Sequence, residues 1–232
     1  MKTTASNLIR WAGLSAVAAG FLFVFIQMIH PPEVFSSVTT GTWVVVHCLS
    51  VTMCVLWLLG IVGIYARQVE QAGWLGLAGF VLTSVFLVLT AAFTFAEALI
   101  LPVLASDAPQ FVEGFLGISN GSAGGTNLGA LPAVYSGSGV LYLLGGVLFG
   151  IATFRAGILP RWAAGVLAVG TVLPVALSVL PHEFVRLAAV PVGFALAWLG
   201  YALWSERREQ AADPLAGRLT PQLRQTAAKQ VR

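Results

Sequence analysis

The chain has 232 residues, of which 58% are hydrophobic and 9% charged, with a net charge of +3. Soluble domains carry roughly 25% charged residues, so a water-soluble fold would have too little polarity to cover its surface, and the composition points to lipid as the solvent. A nucleic-acid partner is excluded as well, because the basic residues stand at the ends of apolar stretches and in one tail rather than on a polar face.

In chain order the sequence predicts about six spanning helices, at 9–30, 42–66, 74–101, 132–154, 161–180 and 184–204. Each offers about 20 mostly apolar residues, the length a helix needs to cross hydrocarbon with its backbone satisfied internally. Pro31-Pro32, Gly41, Gly73, Pro102, Pro132, Gly157, Pro160 and Pro181 mark the breaks. The first span follows Lys2 and Arg10 and imitates a signal peptide. Its apolar run from Trp11 to Ile29 exceeds a usual signal core of about 7–15 residues. It closes on His30-Pro31-Pro32-Glu33 rather than on a small-residue cleavage site, so it is read as retained. In the second span Cys48 and Cys54 point in different directions, cannot pair with each other, and are read as small apolar packing residues.

Between the third and fourth spans lies an external loop, about 103–131, without lysine or arginine. Its first half, 108–116, has the pattern of a short amphipathic or re-entrant helix. Its second half, 120–127, is glycine-rich, is read as mobile, and matches no phosphate-binding pattern. The division is thus a six-helix transmembrane domain, 1–206, and a basic cytoplasmic tail, 207–232, expected to be disordered.

Basic residues set the orientation. With the N-terminus inside, eleven of the twelve lysines and arginines fall on the cytoplasmic side, leaving only Arg186 outside, and both termini are cytoplasmic. Trp11, Trp74 and Trp162 open the outward-running helices, while Tyr65 and Trp204 close two inward-running ones, where an interfacial aromatic belt belongs. A weak internal repeat pairs Arg10-Trp11-Ala12-Gly13 with Arg161-Trp162-Ala163-Ala164, although interfaces select such residues everywhere.

The chemistry-bearing residues gather in the outer part. They are His30, His47 and His182, five acidic residues (Glu33, Glu97, Asp107, Glu113, Glu183), and Arg186. His47 and Glu97 lie on adjacent antiparallel helices and are mirrored about residue 72, inside the short connection, so they stand at equal height. At 1.5 Å per residue that height is about 6–8 Å below the outer surface. Thr90, Thr94 and Glu97 form one helical stripe, with Thr83 extending it inward. His47, Ser50 and Cys54 form a second, Gln27 and His30 a third, and Tyr135, Ser138 and Tyr142 a fourth. A charge facing lipid costs at least about 2.5–3.5 kcal/mol, so these stripes are expected to face a shared interior.

Three functions fit the cluster. It can be structural, Glu97 pairing with Arg186 or a histidine to fix helix register. It can line an outward-facing pocket for a small molecule, a lipid or a coupled proton. Or it can bind a metal or haem through His47, His30 or His182 with Glu97, although no HxxxH or HExxH spacing occurs. A nucleophilic enzyme finds no support, since Tyr135-Ser136-Gly137-Ser138-Gly139 contains no GxSxG elbow. Gly145, Gly146 and Gly150 read as a helix-packing face.

Ile29-His30-Pro31-Pro32, Trp43 with Val46-His47, Gly63-Ile64-Tyr65, Phe93-Thr94-Phe95-Ala96-Glu97 and Leu180-Pro181-His182-Glu183 together resemble small bacterial six-span inner-membrane proteins of unknown function. The resemblance covers 8–206 and implies a bacterial inner-membrane location and a six-helix domain, with no substrate or catalytic residue attached. The expectation is an all-α polytopic bundle that binds or transports a ligand. His47 would be the titrating group or ligand contact, Glu97 its charge partner, Arg186 the counter-ion and His30 a rim residue, with Thr94 and Tyr135 completing the ligand set. The alternatives are a metal-dependent membrane enzyme and a structural or accessory subunit. The bilayer is the expected partner, and no cofactor is assigned.

Overall fold

A computed structural model describes residues 5–119, 126–177 and 186–212. Among these the chain is all-α, without a strand. Helix α1 spans Ala5–Ile29. A single turn, α2 (Phe35–Val38), leads to α3 (Gly41–Phe95), whose N-terminus is capped by Thr40 accepting from the Trp43 N–H at 3.2 Å. Helix α3 is broken at its middle and folds back on itself as two limbs. Gln68 has φ −130° and ψ 16°, and Gly73 has φ 56° and ψ −158°, a conformation open only to glycine. The two limbs are antiparallel, with Tyr65 stacked on Phe80 at 4.8 Å between ring centroids.

Beyond α3 come a π-helical turn (Ala96–Ile100), α4 (Leu101–Asp107) and α5 (Pro109–Leu116). Helices α6 (Leu131–Ala156), α7 (Arg161–Ala176) and α8 (Ala189–Ala212) follow. Each long helix packs on its chain neighbour, and α8 returns to pack on α1, so the two limbs of α3 with α1, α6, α7 and α8 close a six-membered ring. The segments Ser6–Ile29, Gly41–Asp107 and Leu131–Ala156 are long and apolar enough to cross a membrane.

The ring is held by small residues. Gly13 faces Gly200 and Gly20 faces Gly193, two turns apart along each helix. A Cβ at any of the four would lie 2.3–2.7 Å from the carbonyl oxygen of the opposing glycine. Such backbone-to-backbone approach is available only to glycine, and it is how helices associate where the solvent supplies no hydrophobic drive. Ala16, fully buried, fits against Gly60 in the first limb of α3. On α6 the three glycines serve two partners: Gly145 meets Thr83 of α3, whereas Gly146 and Gly150 meet Thr171 and Ala168 of α7. The large apolar side chains Phe21, Val62, Val85, Val140, Val169 and Phe194 are exposed, so the outer surface of the ring is apolar. At the end opposite the histidines, Arg67 forms a forked ion pair with Glu206, and Arg10 lies over the Trp204 ring at 5.7 Å.

Several expected boundaries shift. The third span was expected to end before Pro102, yet the helix passes through it to Asp107, because the π turn accommodates the missing N–H. The expected loop 103–131 is therefore partly helical, and α5 occupies its first half; residues 120–125 lie outside the described residues. Helix α7 stops short of residue 180. Pro174 interrupts its hydrogen bonding, and the Leu177 N–H turns back to the Leu173 and Val175 carbonyls. The tail expected from 207 begins as helix, since α8 runs on to Ala212 through strong helix formers (Glu, Arg, Gln, Ala). Cys54 is buried as expected, but Cys48 is exposed on the outside of the ring.

Candidate functional site

The local chain around Glu97 explains its placement. Within the π turn the Leu101 N–H bonds to the Ala96 carbonyl, and the next residue, Pro102, has no N–H. The Glu97 carbonyl is thus deprived of both helical donors. The Trp43 indole supplies the missing one, Nε1 donating to that oxygen at 2.7 Å. Trp43 is fully buried, and its ring lies 4.1 Å from that of His47, which is in turn 5.1 Å from that of His30. One aromatic side chain therefore fixes both the backbone of Glu97 and the face of His47.

His47 donates from Nδ1 to the Trp43 carbonyl at 2.7 Å. That bond assigns the Nδ1 proton, because a carbonyl can only accept. The other ring nitrogen, Nε2, faces Glu97 Oε2 at 3.5 Å. One proton, on the imidazole or on the carboxyl group, makes the two groups complementary at this approach. Either way the pair carries no net charge.

Beside Glu97 opens a cavity of about 420 Å³, within the size range of small-molecule sites, reached by side chains from every helix of the ring. All four polar stripes converge on it. Gln27 and His30 come from α1, Ser50 from the first limb, Thr90, Thr94 and Glu97 from the second, and Tyr135, Ser138 and Tyr142 from α6. Pro174 of α7 and Arg186, just before α8, complete the wall. Arg186 donates to the His30 carbonyl at 3.4 Å, joining the ends of α1 and α8.

Of the predicted residues, Glu97, Thr94, His30, Arg186 and Tyr135 line this cavity. His47 does not. It is buried behind Glu97, with 2% of its side chain exposed against 23% for the glutamate, so its action on anything in the cavity passes through the carboxylate. Helical periodicity placed it on the inner face, but could not reveal that the Trp43 ring and the Glu97 side chain would cover it. Thr83 is also enclosed, against Gly145. His182 and Glu183 lie outside the described residues. Among the described residues no three histidines, cysteines or acidic residues stand close enough to hold a metal.

Two contributors were missed. Glu33 lines the cavity and accepts from the Ser119 hydroxyl. The sequence places it in the outer cluster but not in the ligand set, because its position after Pro31-Pro32 does not fix which way it points. The second is a group of apolar side chains. Val38, Trp43, Leu101, Val112, Phe115 and Leu116 form a separate apolar cluster, with Phe93 packed against it, at the end of the ring that holds His47. A small recess beside this cluster is shared by Glu33, Glu97, Ser119 and Tyr135.

Pro102→Ala tests the role of the π turn. A restored N–H at 102 competes with the Trp43 indole for the freed carbonyl. Affinity for a cavity ligand is expected to fall roughly threefold to tenfold, equivalent to about 1 kcal/mol, with the melting temperature retained. Unchanged affinity would show that the turn does not set Glu97.

No protein-family model, curated protein or solved structure matches the chain.

Proposed function

We propose that this is a six-span inner-membrane protein of bacterial type, with both termini cytoplasmic, that binds a small amphiphilic molecule in its outward-facing cavity as a receptor or transporter does. The six spans are α1, the two limbs of α3, α6, α7 and α8. The distribution of basic residues supports the orientation, as does the strong exposure of Trp11, Trp74 and Trp162 (65%, 84% and 77%) at the starts of three helices. A C-terminal fusion to green fluorescent protein is therefore expected to fluoresce, and a dark but expressed fusion would reverse the topology.

The observation that carries the binding reading is the convergence of all six ring helices on one cavity whose single deeply set carboxylate is positioned by a π turn. A purely structural ion pair needs no empty volume beside it. Gly139 provides the decisive variant. It lines the cavity, and a Cβ there meets nothing within 4 Å, so Gly139→Leu fills the space without disturbing the backbone. In a thermal-shift screen of small amphiphiles in detergent, ligands are expected to raise the wild-type melting temperature and to lose that effect in Gly139→Leu. Equal shifts in both proteins would place binding elsewhere.

A further inference from the structure

Three hydroxyls of the cavity wall share one sense, beside the donors that Gln27, Thr90, the two tyrosines and Arg186 also bring. Ser50 donates its hydroxyl proton to the Val46 carbonyl at 3.0 Å, Ser138 donates to the Tyr135 carbonyl at 2.6 Å, and Thr94 donates to the Thr90 carbonyl. With their protons committed to their own helices, these hydroxyls turn only lone pairs toward the cavity. Glu33 and Glu97 add carboxylate oxygens, and Phe23, Phe86, Phe93, Tyr135 and Tyr142 add aromatic faces. Acceptor oxygens and ring faces attract the same kind of guest, an organic cation with an apolar body. Among the described residues Arg186 is the one arginine or lysine in the wall.

Charge balance then limits how such a cation binds. The neutral His47–Glu97 pair holds one proton, and the low-polarity surroundings disfavour adding an uncompensated charge beside it. We infer that the cavity takes an amphiphilic organic monocation, such as an aryl-substituted ammonium, in exchange for the proton held between His47 Nε2 and Glu97 Oε2. The proton leaves to water, Glu97 remains as carboxylate and turns to the cation, and His47 stays neutral with Nδ1–H on Trp43. One positive charge enters and one leaves, so the site's total charge is unchanged. Among the described residues, the charged and titratable groups facing Glu97 from the surrounding elements are His30 and Glu33 after α1, His47 on the first limb, Tyr135 and Tyr142 on α6, and Arg186 before α8. This inference rests on the binding reading above and names its ligand class.

The test uses benzyltrimethylammonium, whose permanent charge carries no proton of its own, its neutral carbon isostere neopentylbenzene, and the anion phenylmethanesulfonate. Binding to the purified full-length chain is measured by calorimetry in two weakly concentrated buffers of different ionisation enthalpy, which counts protons released. The cation is expected to bind with release of about one proton at pH 6–7, and the isostere and anion more than tenfold more weakly. Glu97→Gln, which keeps shape and loses charge, is expected to bind the cation more than tenfold more weakly and release none, with an unchanged gel-filtration profile. Gly139→Leu is expected to abolish binding. Cation binding without proton release, or release that persists in Glu97→Gln, overturns the exchange. Tighter binding of the isostere or anion, blocked by Gly139→Leu, overturns the cation class while leaving a binding cavity. If none of the three probes binds, both readings fail.

Discussion

Replacing Trp43 with alanine is expected to destabilise the protein by about 3–5 kcal/mol, the range for removing a fully buried tryptophan, and to abolish ligand binding. Trp43 is 0% exposed and belongs both to the apolar cluster and to the site. Its removal leaves a void beside α5, frees the face of His47, and orphans the Glu97 carbonyl. Trp43→Phe separates these roles. It keeps most of the ring volume and removes only the indole donor, so the expected loss is about 1–3 kcal/mol for a buried unpaired carbonyl. Ligand affinity is expected to fall although the chain still elutes as a folded species. Reversible thermal or denaturant unfolding in detergent, with calorimetric binding, provides both readouts. A phenylalanine variant with wild-type affinity would show that the indole hydrogen bond does not govern Glu97.

Gly20→Val is the second large effect. A Cβ at Gly20 would stand 2.3 Å from the Gly193 carbonyl oxygen and 2.9 Å from the Ala197 amide nitrogen, both backbone atoms that cannot rotate away. Helices α1 and α8 must separate along the seam. The expected cost is about 3 kcal/mol, the upper end for overpacking, or roughly 6–12 °C in Tm by the scale of a domain this size. Gly41→Ala is the control, since a Cβ there meets nothing within 4 Å, and it is expected to be neutral. Equal melting temperatures for the two variants would mean that the seam is looser than the distances imply.

The parts of this architecture legible in the sequence are those that depend on one helix or one hairpin. Residue 72, midway between His47 and Glu97, falls within the break at Gln68–Gly73, and the two side chains meet at 3.5 Å. The stripes on α1, α3 and α6 follow from helical periodicity, which requires no knowledge of neighbours. What escaped the sequence depends on pairing. Gly13 and Gly20 acquire meaning only opposite Gly193 and Gly200, on a helix far away in the chain. Pro102 reads as a terminator unless the indole of Trp43 is known to be waiting for the carbonyl that the π turn releases. Glu33 belongs to the outer cluster by sequence, but its direction into the cavity is visible only with Ser119 beside it. The covering of His47 likewise arises from two side chains on different limbs.

The glycine seam has a consequence for biogenesis. Helix α1 is synthesised early and α8 late, and the glycine faces of both are completed only by each other. During translation the ring is therefore open, with the glycine face of α1 unpaired until α8 has been made. A chain stalled before α8 therefore cannot close the ring, because the helix that faces Gly13 and Gly20 is missing.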